Sequence, residues 1–196
     1  MKLHLRDLDA ALVDAWSAAF ADEPDVSVAH GDIFAAPADA LVSPANGFGF
    51  MDGGIDMVYS ERLGWHVQDR VRELLAREHE GELMVGLAVH VETDDPEYPV
   101  LISAPTMRAP DEVRGTLNAF LAFRAALRCA RDLNAEVPGR VGSMLCPGLG
   151  TATGGMDPKV CARQMHAAWR EVMYDERPDR SSVNAVILEH YRLLRA

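Results

Sequence analysis

Two glycine-rich segments, each placed between a strand-like run and a helical pattern, set the strongest limits on the fold. The first, NGFGFMDGGID, spans residues 46–56 and follows the apolar run ALVS at 40–43. The second, PGLGTATGGMDP, spans residues 147–158 and follows a strand-like run at 141–146. In open α/β sheets, ligands bind where strands end, and amide groups at a helix N-terminus attract phosphate. The two segments therefore predict a site for a phosphate-bearing ligand, with two ordinary tight turns as the alternative.

Strand and helix patterns alternate along the chain, and several of the strands are apolar throughout. This alternation is typical of a mostly parallel sheet that is covered by helices on both faces. We therefore expect an α/β fold, a three-layer α/β/α sandwich with a mostly parallel central sheet. The expected strands cover 26–30, 40–43, 82–92, 99–104 and 141–146, and the expected central helices cover 55–78, 111–133 and 157–174.

The length and apolar content of the chain fit one domain. The chain has 196 residues, of which 48% are hydrophobic, enough for a single core. Residues 1–196 are therefore expected to form one domain, whose core covers about 26–174. The remaining ends are expected to be additions to this core. One is a helix at about 7–21, where Leu8, Leu12, Trp16 and Phe20 recur every four residues. The other is a helical extension at about 183–194.

Charge and cysteine spacing narrow the classes of partner. A net charge of −11 argues against direct nucleic-acid binding, which needs a basic face. It does not exclude a small anion held by backbone N–H groups. Acidic residues interrupt the first apolar stretch, so we do not expect a signal peptide, and no apolar run has the length of a membrane span.

The three cysteines are scattered and show no CxxC spacing, so we expect neither disulfides nor a zinc site. A cytoplasmic location is therefore expected.

Four short segments occur together in an order that carries a family resemblance. They are GDIF at 31–34, DALVSPAN at 39–46, GGID at 53–56 and GLGTATGG at 148–155. Together they resemble a macro domain, the ADP-ribose-binding α/β/α module, over roughly residues 26–174. Asn46 and Asp56 also have the ten-residue spacing of the Asn and Asp in hydrolytic MacroD-type members.

The resemblance implies a role for each part of the two segments. Asp32 would accept a hydrogen bond from the adenine amino group, and Ile33 would line the adenine pocket. Asn46 would hold the distal ribose hydroxyls, and Asp56 would orient or activate a water near the anomeric carbon. The residues implied to contact the phosphates through the backbone are Gly53, Gly54, Ile55, Gly148, Leu149, Gly150, Thr151, Ala152, Thr153 and Gly154.

Each of these roles has a structural alternative. Asp32 could cap a helical turn that begins at Ile33, and Asn46 could serve as a turn residue before Gly47. Asp56 could be an ordinary acid in the first turn of a helix, where the helix dipole favours it.

The first segment departs from the glycine run of MacroD-type members, because Phe50-Met51-Asp52 precedes Gly53-Gly54. Phe48, Phe50 and Asp52 are candidates for the pocket wall, and Asp52 is also an additional acid–base candidate. The two phenylalanines could instead pack beneath the loop. Asp52 would lower the affinity for an anion unless it pointed away or bound the ribose.

The resemblance implies an ADP-ribose-binding protein, and the Asn46–Asp56 pair favours a hydrolase. The expected substrates are mono-ADP-ribose linkages on proteins or O-acetyl-ADP-ribose, cleaved without metal or cofactor. A non-catalytic ADP-ribose reader and an ADP-ribose 1″-phosphate phosphatase are the alternatives. No Glu-Glu pair lies beside the glycine loop, so cleavage of poly(ADP-ribose) chains is not expected.

Overall fold

The computed structural model describes residues 1–195, and a six-stranded sheet runs through its centre. The strands are β1 Lys2–Asp7, β2 Val26–His30, β3 Ala40–Ser43, β4 Val89–Glu92, β5 Val100–Ser103 and β6 Ser143–Cys146. Their order across the sheet is β2-β1-β6-β3-β5-β4. Every neighbouring pair is parallel except β4 and β5. The carboxyl ends of five strands therefore meet at one edge.

Helices cover both faces of this sheet. They are α1 Ala10–Ala19, α2 Gly54–Leu63, α3 His66–Glu78, α4 Asn118–Glu136, α5 Pro158–Met173 and α6 Val183–Leu194. One apolar cluster packs α1, α4 and α5 on one face, and a second packs α2 and α3 on the other. The predicted three-layer α/β/α fold is confirmed. Within residues 1–195, no helix combines the length and the apolar character that crossing a membrane requires.

The first strand was not predicted, and it changes the boundaries of the core. β1 pairs in parallel with both β2 and β6, so it lies inside the sheet. Leu3 and Leu5 are buried, whereas Lys2, His4 and Arg6, which alternate with them, are polar. The interpretation of the first 25 residues as an addition to the core is therefore wrong. Two buried leucines in six residues gave too short an alternation to distinguish this strand from the start of α1.

Two predicted helices have different boundaries in the structure. The single helix expected over 55–78 is divided at Gly64, whose φ of 102° is in the left-handed region that favours glycine. The helix expected from residue 111 begins only at Asn118. The segment before it instead packs on the second glycine segment, where the Val113 N–H donates to the Gly154 carbonyl at 2.8 Å.

Candidate functional site

A cavity of about 730 Å³ lies at the edge of the sheet where the parallel strands end. Both glycine-rich segments contribute to its wall. They come from the ends of β3 and β6, and each runs into the N-terminus of a helix, α2 or α5. The predicted site residues that line the cavity are Asp32, Ile33, Asn46, Phe50, Asp52, Gly53, Gly54, Ile55, Asp56, Gly148, Gly150, Thr151, Ala152, Thr153 and Gly154.

Two predicted residues do not line the cavity with their side chains. Leu149 is completely buried and packs in the apolar cluster beneath α1 and α5. Its side chain therefore stabilises the loop from below. Phe48 is not among the residues that line the cavity, and the Arg108 guanidinium lies over its ring at 4.9 Å from the centroid. This contact fits the alternative in which Phe48 packs within the protein, whereas Phe50 lines the cavity and carries Arg72 over its ring at 4.4 Å.

Backbone amides on two sides of the cavity are free to bind a ligand. Those of Gly53, Gly54 and Ile55 donate to no acceptor within residues 1–195. The same holds for the five consecutive amides of residues 150–154. Unpaired N–H groups of this kind are costly when they are shielded from water, and they form good sites for anions. Both segments that line the cavity therefore carry amides without a protein acceptor, which suits an anionic ligand.

Asn46 braces the first segment through three hydrogen bonds. Its Nδ2 donates to the Phe50 carbonyl at 2.9 Å. Its Oδ1 accepts from the amides of Phe48 and Phe50 at 3.1 and 3.3 Å. These contacts match the alternative in which Asn46 is a turn residue. Its role toward a ribose stays a prediction.

Asp32 also caps a local turn, as its structural alternative describes. Its Oδ1 accepts from the Phe34 amide at 3.0 Å, at the start of a 3₁₀ turn over Ile33–Ala35. The side chain is exposed at the cavity, and its second oxygen is free toward solvent. The capping contact and a contact to adenine are therefore compatible.

Asp56 is a buried acid in the first turn of α2 that still reaches the cavity. Only 6% of the residue is exposed, and the Ser43 hydroxyl donates to its Oδ1. The Oδ2 of Asp56 forms no hydrogen bond within the described residues, in which every fully buried side-chain oxygen has a partner. Oδ2 is therefore not fully buried, and because Asp56 lines the cavity, this oxygen lies at the cavity surface. Burial raises the pKa of Asp56 from 3.8 to about 7, and the Ser43 hydrogen bond opposes that rise. The carboxyl can therefore accept or donate a proton near neutral pH.

The family is decided by comparison with known sequences. The Macro domain family matches residues 42–165, which is more than half of the chain. The chain belongs to the macro domain family. This macro domain is 31% identical over 141 residues to an uncharacterised protein of Aquifex aeolicus, covering 72% of the chain and 78% of the relative. It is 29% identical over 139 residues to an uncharacterised protein of Aeropyrum pernix, covering 71% of the chain and 67% of the relative.

Solved structures of other macro domains share the fold. The macrodomain of Mycobacterium tuberculosis DarG matches with a TM-score of 0.58 and 25% identity, over 72% of this chain and 87% of that chain. The Oceanobacillus iheyensis macrodomain, solved with ADP, matches with a TM-score of 0.60 and 19% identity, over 74% of this chain and 75% of that chain. The predicted family is thus confirmed.

The cavity of this macro domain is also lined by residues that were not predicted. The end of β1 contributes Arg6, Asp7, Leu8 and Asp9, because β1 lies inside the sheet. The Asp7 carboxylate accepts from the Gly148 amide at 2.9 Å and so fixes the start of the second segment. The other unpredicted lining residues are Gly31, Pro44, Ala45, Val58, Thr106, Met107, Pro110 and Pro147.

Full charges around the cavity are mainly negative. Arg6 is the one basic residue among those that line it, and its guanidinium donates to the Asp32 carbonyl at 3.5 Å. The acids that line the cavity are Asp7, Asp9, Asp32, Asp52 and Asp56. An anionic ligand would therefore be held by amide groups and by Arg6, and not by a basic cluster. In residues 1–195, no group of three or more His, Cys, Asp or Glu side chains is arranged to hold a metal ion.

Proposed function

We propose that this macro domain binds ADP-ribose in the cavity and hydrolyses mono-ADP-ribose linkages or O-acetyl-ADP-ribose. The observation that carries the proposal is the double row of unpaired amides, at Gly53–Ile55 and at residues 150–154, around one cavity. A diphosphate has acceptor oxygens on both of its sides, so it matches two rows of donors that face a common space. The cavity volume of about 730 Å³ falls within the range of small-molecule sites.

Structural relatives support the choice of ligand. The Oceanobacillus iheyensis macrodomain has been solved with ADP, and a mutant of it with ADPR. The exposed Asp32 carboxylate, which also lines the cavity, offers an acceptor for the adenine amino group. The low number of positive charges is consistent with a ligand that is held through hydrogen bonds from the backbone.

Asp56 is the group proposed to act on the reacting bond. Its Oδ2 is open to the cavity, and its pKa of about 7 makes it a base of useful strength at neutral pH. In the proposed step, ionised Asp56 accepts a proton from a water molecule as that water attacks. For a mono-ADP-ribose linkage, the water oxygen bonds to the anomeric carbon of the distal ribose while the bond from that carbon to the acceptor group breaks. The acceptor group leaves with the bonding electron pair and takes up the proton that Asp56 gained.

Release of free ADP-ribose from a mono-ADP-ribosylated protein tests this proposal. We expect Asp56→Ala to lower the rate about 100-fold or more, with ADP-ribose still bound in calorimetry. Asp52→Ala is the matched control, because Asp52 lines the same cavity but is exposed. Equal rates for the wild type and Asp56→Ala would contradict the role of Asp56. The same comparison with O-acetyl-ADP-ribose distinguishes the two substrate classes.

A non-catalytic reader is the second candidate, and the contacts of Asn46 favour it. The Asn46 side chain is engaged three times with its own loop, which leaves it little freedom to follow a reacting ribose. In this case, the wild type would bind ADP-ribose and would release none from either substrate.

A further inference from the structure

We infer that Ser43 is a positioning residue for Asp56. The Ser43 hydroxyl holds one oxygen of the Asp56 carboxylate, so that the other oxygen is presented to the cavity. The inference rests on the proposed function, in which Asp56 acts on the ligand. It extends the site from the cavity wall to a residue that the ligand does not touch, because Ser43 does not line the cavity.

The position of Ser43 is fixed on three sides. It is the last residue of β3 and is completely buried. In the sheet it is paired with Ser103 of β5, and its carbonyl accepts from the Ala104 amide at 2.9 Å. Its hydroxyl donates to Oδ1 of Asp56, which belongs to α2. The hydrogen bond therefore connects the rigid sheet to the first turn of the helix that carries the acid.

Ser43 is the one hydrogen-bond donor to the Asp56 carboxylate in the described chain. Tyr59, whose pKa the nearby Asp56 charge helps to raise, does not replace it. The Tyr59 hydroxyl donates instead to the Val42 carbonyl at 3.2 Å. Burial is the main cause of the raised pKa of Tyr59, so Tyr59 stays neutral at neutral pH.

The charged groups across the cavity leave Asp56 without a counter-ion. Those on the wall are Arg6, Asp7, Asp9, Asp32 and Asp52, and none of them forms an ion pair with Asp56. A hydroxyl that donates to a carboxylate stabilises the ionised form and lowers its pKa, against the rise caused by burial. Removal of the Ser43 hydroxyl must therefore raise the pKa of Asp56 further.

The test combines the pH dependence of turnover with direct titration of Asp56 in the full chain. Carboxyl NMR on aspartate-labelled protein follows the titration, and the Asp56 signal is assigned by its loss in Asp56→Asn. In Ser43→Ala, we expect both the Asp56 titration and the acid limb of the rate profile to move up by about one pH unit. Ser43→Thr keeps the hydroxyl and should restore both toward the wild type.

Ser103→Ala is the matched control. Ser103 is a buried serine at the position paired with Ser43 on the neighbouring strand, but it forms no hydrogen bond with Asp56. It should leave the titration and the rate profile unchanged. A shift of similar size in Ser103→Ala would overturn the inference, because it would mean that any loss of a buried hydroxyl in the sheet disturbs the site.

The two measurements separate failure of this inference from failure of the proposed function. An unchanged Asp56 titration in Ser43→Ala overturns the positioning role, whether or not the protein turns over substrate. A shifted titration with an unchanged rate profile would show that Ser43 acts on Asp56 but that Asp56 does not control turnover. That second result would overturn the role of Asp56 in the proposed function.

Discussion

Asp56 combines two properties that a structural acid does not need. It is buried, which disfavours its charge, and it is nevertheless open to the cavity through one oxygen. An acid that merely favours the helix dipole would sit at the surface of the first turn, where its charge is hydrated. The burial of Asp56 must therefore cost stability at neutral pH.

The pH dependence of stability should reveal this cost. The pKa of Asp56 is raised in the folded state, so its favourable contribution is complete below the unfolded value of 3.8 and is lost as pH rises to about 7. Asp56→Asn removes this dependence. We expect the unfolding free energy of Asp56→Asn, relative to the wild type, to increase between pH 4 and 7, by up to about 4 kcal/mol. Urea unfolding across this range measures it.

Asp52→Asn provides the control for that comparison. Asp52 is an exposed acid close in sequence, so its replacement should change the unfolding free energy by no more than about 0.5 kcal/mol. A wild-type minus Asp56→Asn difference that stays constant from pH 4 to pH 8 would contradict the burial of an ionisable Asp56.

At the scale of elements, the glycines of the two segments serve different purposes. A Cβ at Gly154 would lie 2.5 Å from the Gly150 carbonyl oxygen, so this glycine is required by the fold of the loop itself. A Cβ at Gly53 would meet nothing within 4 Å, and the backbone there is extended. No contact within the protein requires a glycine at position 53. Under the proposed function, the missing side chain would allow a ligand to approach the backbone closely.

Alanine substitutions should separate the two roles. We expect Gly53→Ala to leave the unfolding free energy within about 0.5 kcal/mol of the wild type and to weaken ADP-ribose binding about tenfold. We expect Gly154→Ala to lower the unfolding free energy by about 1–3 kcal/mol, because two backbone segments must move apart. Thermal unfolding and calorimetry, run on both variants, check this. Unchanged affinity in Gly53→Ala would argue against contact between this part of the loop and the ligand.

The elements also show how far the sequence could predict the structure. The glycine segments and the apolar strands beside them were predictable, because strand–glycine–helix junctions have a strong local signature. β1 was not, since its two buried leucines alternate with polar residues over only six positions. Arg6 and Asp7 were missed for the same reason. The inward packing of Leu149 depends on tertiary contacts that no local pattern contains. The bonds of Asn46 to its own loop are local, and they match the turn alternative stated from the sequence.

At the scale of the whole molecule, two clefts compete as ligand sites. The wider one, of about 1600 Å³, lies between α1, α5 and the segment that ends in α6. Much of its charge is already paired, as Glu171 contacts Arg180 at 2.8 Å and Glu23 contacts Arg170 at 3.1 Å. The smaller cavity at the strand ends holds the free amides. In a protein with a net charge of −11, unpaired amides are the feature that can attract a dianion.

The most direct test of ligand binding at the strand ends is amide NMR during titration with ADP-ribose. We expect saturable shifts at one equivalent, concentrated in the amides of Gly53–Ile55 and residues 150–154. The amides of α1 and α6 should remain unchanged. No shifts at millimolar ADP-ribose, or shifts confined to the wider cleft, would contradict an ADP-ribose site between the two glycine segments.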